Sequence, residues 1–244
     1  VGAAQWLRLW NDARFWQDTW QTLRFSSASV ALEMLLGLAI ALLLHQPFQG
    51  RAALRTLSLL PWALPTTVMA LGWRWIFNDP YGPINAALTA LGFAPIPFLS
   101  NPALTWMASV GADTWKTTPF VALLLLAGLQ TIPADLYEAA ALEGASRWQA
   151  LRHITLPLLT PYLLIALLFR STQALGVFDL IQVLSGGGPA GSTESLALYA
   201  YLNAMRFLDF GYSATLMLGS FLLLVLLCGA WAIGWHVLNR PRRE

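Results

Sequence analysis

Ionisable side chains within an apolar stretch are costly in a membrane and usually face a protein interior or a wet cavity. At 100° per residue, Trp106, Ser109, Asp113, Lys116, Thr117 and Phe120 of the apolar window 104–126 share one helical arc of about 100°. That arc should look inward. Aromatic rings beside hydroxyl, carboxylate and ammonium groups suit a sugar, which has an apolar ring face and a belt of hydroxyls. Asp113 and Lys116, three residues apart, could equally pair with each other or brace neighbouring helices. A second stripe, Trp62, Thr66, Met69 and Trp73, lies where Pro61 and Pro65 break the hydrogen-bond ladder and allow a kink. Trp73 and Trp75 also suit the interfacial belt of a span. Arg170 and Gln173 share a face of the window 158–178, with Asp179 opposite them near its outer end. The candidate pathway set is therefore Trp62, Thr66, Trp73, Trp106, Ser109, Asp113, Lys116, Arg170 and Gln173. Glu33 sits four residues from both Ser29 and Gly37, the small-residue spacing of close helix packing, and is expected to be structural.

Other chemistries lack their residues. The sequence has no G-x-x-x-x-G-K-[ST], and the only lysine, Lys116, follows Ala112-Asp113-Thr114-Trp115 rather than a glycine-rich turn. It has no H-E-x-x-H and no nucleophile elbow, and His45, His153 and His236 are scattered. One cysteine, Cys228, in a Leu-rich stretch, precludes an internal disulfide and a thiolate cluster. No catalytic residue, cofactor site or metal site is expected in this chain. A net charge of +2 gives no basis for nucleic-acid binding. With 57% apolar and 11% charged residues and a mean hydropathy of +0.58, the composition fits a bilayer.

Five windows are long enough to cross that bilayer, at residues 25–44, 57–77, 104–126, 158–178 and 213–235. The fold expected is an all-α, polytopic helical bundle of about five spans. Residues 1–24 form an amphipathic, Trp-rich extracytoplasmic lead, 25–238 the transmembrane domain and 239–244 a basic cytoplasmic tail. Placing the loop 131–157 in the cytoplasm puts Arg51, Arg55, Arg147, Arg152, Arg240, Arg242 and Arg243 inside and Arg8, Arg14, Arg24 and Arg206 outside, as the positive-inside rule prefers. With Val1 outside, one further span is expected upstream.

The loop itself has a defined shape. Pro133 suits a first helical turn and Gly144 the left-handed residue that ends a helix, which predicts a helix over 133–143. Ser146 and Gln149 make a capping-box pattern that starts a second helix, and Pro157 then starts the next span. Ala139, Ala140, Ala141 and Ala145 keep this elbow thin enough to enter a partner's groove, while Glu138, Arg147 and Arg152 can orient it there.

Glu138, Ala139, Ala140, Gly144, Ile154, Leu156 and Pro157 also match the pattern E-A-A, three residues, G, nine residues, I-x-L-P. In this the chain resembles the membrane subunit of binding-protein-dependent ABC importers. Phe178-Asp179, Gly186-Gly187-Gly188-Pro189, Thr193, Tyr199, Tyr201, Phe207 and Gly211-Tyr212 resemble the sugar-type permeases related to those for maltose and glycerol phosphate. The resemblance implies ATP-driven import of a sugar or related polyol across the inner membrane. It also implies partners: a pair of ATP-binding cassette subunits that bind ATP and Mg, a second, similar or identical permease subunit, and an extracytoplasmic solute-binding protein. An importer of a non-sugar solute is the alternative within the family. A passive channel needs no such loop, and an intramembrane enzyme needs paired carboxylates or metal ligands within its spans.

Overall fold

The computed structural model describes residues 2–238, and every regular element among them is helical. In chain order these are α1 (Ala3–Trp10), α2 (Ala13–His45), α3 (Arg51–Ser58), α4 (Leu60–Ala63), α5 (Thr66–Ile76), α6 (Pro83–Ala90) and α7 (Pro102–Leu129). There follow α8 (Ala134–Leu142), α9 (Arg147–Ala150), α10 (Leu156–Leu175), α11 (Asp179–Leu184), α12 (Leu196–Met205) and α13 (Phe210–Leu238). The side chain of Cys228 and the expected basic tail 239–244 lie outside the described residues.

Three long helices form the centre. Ser29 meets Asp113, Glu33 meets Thr117 and a side chain on Gly37 would meet Val121, so α2 and α7 run parallel in matching four-residue steps. Helix α10 runs the other way, with Leu159 and Tyr162 beside Gly128 at one end and Arg170 beside Asp113 at the other. Glycines set the spacing. A Cβ on Gly37 would lie 2.6 Å from Val121 Cγ1, and one on Gly128 would lie 2.5 Å from the Tyr162 ring. Ala41, Leu44, Val121, Leu125, Leu129, Leu159 and Ala166 fill the seam below the polar centre.

The end away from the elbow is tied by polar contacts. Arg8 pairs with Asp209 at 2.6 Å and Arg14 with Glu194 at 2.7 Å. Asp12 accepts hydrogen bonds from the hydroxyls of Tyr199 and Tyr212. These contacts gather α1, the start of α2, α12 and α13 around the loop that contains Gly186, Gly187 and Gly188. Gly186 and Gly187 both have positive φ there, which explains why helix cannot continue.

Several boundaries differ from expectation. Helix α2 is continuous from Ala13 to His45 over 33 residues, so no break separates a lead ending at residue 24 from the span. The window 57–77 is not one helix. Leu64 is extended and Pro65 cannot donate a backbone hydrogen bond, which separates α4 from α5, and Leu59 separates α3 from α4. Pro157 does not start a helix either: α9 runs through a wide π-turn, Leu151–Thr155, straight into α10. The wider turn falls just where the proline removes a ladder donor. Ala13–His45 and Arg147–Leu175 are long and apolar enough to cross a membrane, and Pro102–Leu129 with Ala134–Leu142 makes a third such unit, bent by 71°.

The close seam between α2 and α7 can be tested by size. Gly37→Val should cost about 1–3 kcal/mol of stability through overpacking and lower the unfolding midpoint of the purified protein. Gly111→Ala, where an added Cβ meets nothing within 4 Å, should not lower it. Equal midpoints for Gly37→Val and the parent would contradict the seam.

Candidate functional site

At the crossing of the three long helices lies a buried ionic knot. Arg170 Nε donates to Glu33 Oε2 at 2.5 Å, and its Nη2 donates to Glu33 Oε1 at 2.8 Å and Asp113 Oδ2 at 3.1 Å. Its Nη1 donates to Gln173 Oε1 at 2.7 Å. Ser29 Oγ lies 2.8 Å from Glu33 Oε1 and 2.7 Å from Asp113 Oδ2, and its single proton serves one of them at a time. Thr117 Oγ1 lies 2.6 Å from Glu33 Oε1. Glu33 is wholly buried, so the fork of Arg170 is its main compensation for lost solvation, and it shares the protons of Ser29 and Thr117 with Asp113, whose carbonyl also lies 2.6 Å from Thr117 Oγ1. Glu33 thus joins α2, α7 and α10 through a charge network, a contact set that the small-residue spacing around it does not reveal.

Beside this knot opens a cleft of about 270 Å³. Trp62, Thr66, Asp113, Lys116, Arg170 and Gln173 of the candidate set line it, together with Thr117, Phe178 and Asp179. Trp73, Trp106 and Ser109 do not. Trp73 packs against Phe77 and Trp115, Trp106 lies under the guanidinium of Arg24 at 4.2 Å, and Ser109 donates to the Thr105 carbonyl. Two further placements correct the sequence reading. Asp113 and Lys116 do not pair: Asp113 is held by Arg170, and Lys116 Nζ donates to the carbonyls of Trp62 at 3.2 Å and Leu64 at 2.8 Å. These carbonyls border the α4–α5 break, so Lys116 closes the break from outside. Asp179 is not opposite Arg170, because α10 stops at Leu175 and the chain turns at Gly176 before α11 begins.

The elbow follows the sequence reading closely. Helix α8 ends at Leu142, Gly144 has φ +82°, and Ser146 with Gln149 forms a complete capping box. Glu138, Ala139, Gly144 and Pro157 are exposed, while Ala140, Ile154 and Leu156 are half-buried. One brace is not legible in the sequence: the hydroxyls of Tyr137 and Thr155 lie 2.9 Å apart and tie α8 to the π-turn beneath α10. Leu142 is 91% exposed and Trp148 69% exposed, so the elbow offers apolar side chains that no other described part of the chain covers.

Residues 33–238 match the family described as binding-protein-dependent transport system inner membrane component, and the chain belongs to it. Among curated relatives, it is 46% identical over 244 residues to the trehalose/maltose transport system permease protein MalF of Thermococcus litoralis, covering 100% of this chain and 81% of the relative. It is 40% identical over 223 residues to the sulfoquinovosyl glycerol transport system permease protein SmoG of Agrobacterium fabrum, covering 91% of this chain and 72% of that one. Its fold matches a chain in the crystal structure of a bacterial ABC transporter involved in the import of the acidic polysaccharide alginate, with a TM-score of 0.89 at 21% identity over 98% of this chain and 85% of that chain.

Removing the guanidinium tests the knot. Arg170→Met leaves Glu33 and Asp113 buried without their cation and should cost about 3–5 kcal/mol, read as a fall in unfolding midpoint and in yield. The triple variant Glu33→Gln, Asp113→Asn, Arg170→Gln removes all the charge together and should recover most of that loss. A triple variant as unstable as Arg170→Met would contradict a charge-balanced knot.

Proposed function

We propose that this chain is one half of the solute pathway of an ATP-driven importer for a sugar or related polyol, and lies in the inner membrane as a multi-pass subunit. The elbow carries this reading. It is thin, exposed and apolar at Leu142 and Trp148, and it is fixed to α10 by the Tyr137–Thr155 contact, so a push on it moves the long helices. A pair of separate ATPase subunits, binding ATP and Mg, would hold the elbows of this chain and of a second, similar permease subunit in their grooves. Closure of that pair would rock the bundles and change which side of the membrane the cleft meets. An extracytoplasmic binding protein would deliver the solute at the end that bears Gly186, Gly187 and Gly188, opposite the cytoplasmic elbow. The sugar assignment draws on the relatives named for trehalose/maltose and sulfoquinovosyl glycerol transport, and on a cleft that sets Trp62 beside hydrogen-bonding side chains.

Gly144 isolates the elbow's contribution, because a Cβ there would meet nothing within 4 Å and only its φ of +82° is at stake. In the complex reconstituted with its ATPase and binding protein, Gly144→Val should strain the turn by about 1–2 kcal/mol and lower solute-stimulated ATP hydrolysis several-fold. Gly144→Asn, which tolerates the left-handed turn, should retain most of it. Wild-type uptake and normal co-purification of the ATPase with Gly144→Val would overturn the role of the elbow.

A further inference from the structure

We infer that the cleft takes an uncharged, hydroxyl-rich solute and disfavours an anionic one, and that Asp113 and Asp179 set this preference. The inference rests on reading the chain as half of a solute pathway. The alginate transporter shares this fold and imports an acidic polysaccharide, so the fold alone does not fix the charge of the cargo. Side chains in the cleft must.

The two cations at the cleft are held differently: Arg170 by carboxylates, Lys116 by backbone carbonyls. Arg170 spends four hydrogen bonds on Glu33, Asp113 and Gln173. The ammonium of Lys116 is held by the carbonyls of Trp62 and Leu64 at the helix break. Against these stand two carboxylates that line the cleft, Asp113 at the edge of the knot and Asp179 at the start of α11, with Glu33 buried within the knot. Asp179 is exposed, borders the cleft and has no hydrogen-bond or ion-pair partner among the described residues. A sulfonate or carboxylate would therefore meet the unpaired carboxylate of Asp179 and no free guanidinium, and the one cleft-lining cation without a carboxylate partner among the described residues, Lys116, is drawn by two carbonyls to the α4–α5 break. The like charge at Asp179 is a repulsive element of the kind that discriminates between partners.

A neutral sugar finds what it needs. Asp179 accepts from hydroxyls. Gln173 gives its Oε1 to Arg170, which leaves its amide N–H groups as donors, and Thr66 supplies a hydroxyl. Trp62, stacked on Phe120 with ring centroids 5.8 Å apart, offers an aromatic edge of the cleft for the apolar face of a sugar ring.

Charged thiol reagents read this directly, whichever solute the importer carries. In the purified complex carrying Cys228→Ala, a cysteine at Thr66 or, as a second position, at Gln173 should react with a cationic methanethiosulfonate about tenfold faster than with an anionic one of similar size. Rates are normalised to Tyr81→Cys, at a side chain 85% exposed and away from the cleft. Adding Asp179→Asn should bring the ratio at either position towards that of the reference. A ratio near one, or one favouring the anion, overturns the inference. Uptake of trehalose and of a glucuronate-containing disaccharide by the reconstituted importer then separates the two readings. Uptake of trehalose alone supports both, and equal uptake of the two overturns the charge preference. Uptake of neither, with the cation preference intact, overturns the sugar reading and leaves the charge character of the cleft standing.

Discussion

One guanidinium organises this molecule. Arg170 lies between Glu33 and Asp113, on three helices that an apolar medium would otherwise hold together by packing alone. Each carboxylate would be expensive to bury without it, and it would be expensive to bury without them. The requirement of mutual satisfaction fixes the register of α2 against α7 and the depth at which α10 crosses them. The glycines then act on a register already set: Gly37 and Gly128 let the backbones approach because the charged layer above them has chosen which residues face each other.

The same requirement shapes the cleft. Because Asp113 is committed to Arg170, Lys116 is left to find acceptors elsewhere, and the broken second span supplies them in Trp62 and Leu64. The three-helix centre thus sits against a segmented element, α3 to α5, joined to α7 at the break by Lys116 and the Trp62–Phe120 stack and beyond it by the packing of Met69, Ala70 and Trp73. The elbow, by contrast, is firmly joined: α8 follows α7 at a 71° bend, and Tyr137 locks it to the base of α10. In the proposed importer, movement imposed at the elbow would pass to the centre as a whole, with the α4–α5 break as a place for relative motion.

Much of this is legible in the sequence, and the exceptions share a cause. The elbow depends on local chemistry, such as a glycine at a left-handed position and a serine three residues before a glutamine, and its first helix falls within one residue of the expected bounds while its second starts where the capping box predicts. The polar stripe of α7 is visible from periodicity, and so is the shared face of Arg170 and Gln173. Periodicity says which residues share a face but not what lies across from them. The partners Glu33 and Arg170 are 137 positions apart, so no spacing rule connects them. Periodicity also puts Asp179 on the wrong side, because it carries the helix past Gly176, and it misses α12, whose ten residues are too few to register as a span. Trp73 and Trp106 give a misleading signal, since aromatic residues at helical spacing serve a packed interior as readily as a cleft.

The central claim is that the knot makes α2, α7 and α10 one body during transport. Pulsed spin-label distances between Leu43→Cys on α2 and Leu158→Cys on α10, both at exposed positions, would test it in the assembled complex with Cys228 replaced. The distance should be the same in the nucleotide-free and ATP-trapped states. A change of more than about 2 Å, beyond the small shifts that packed helices allow, would contradict it.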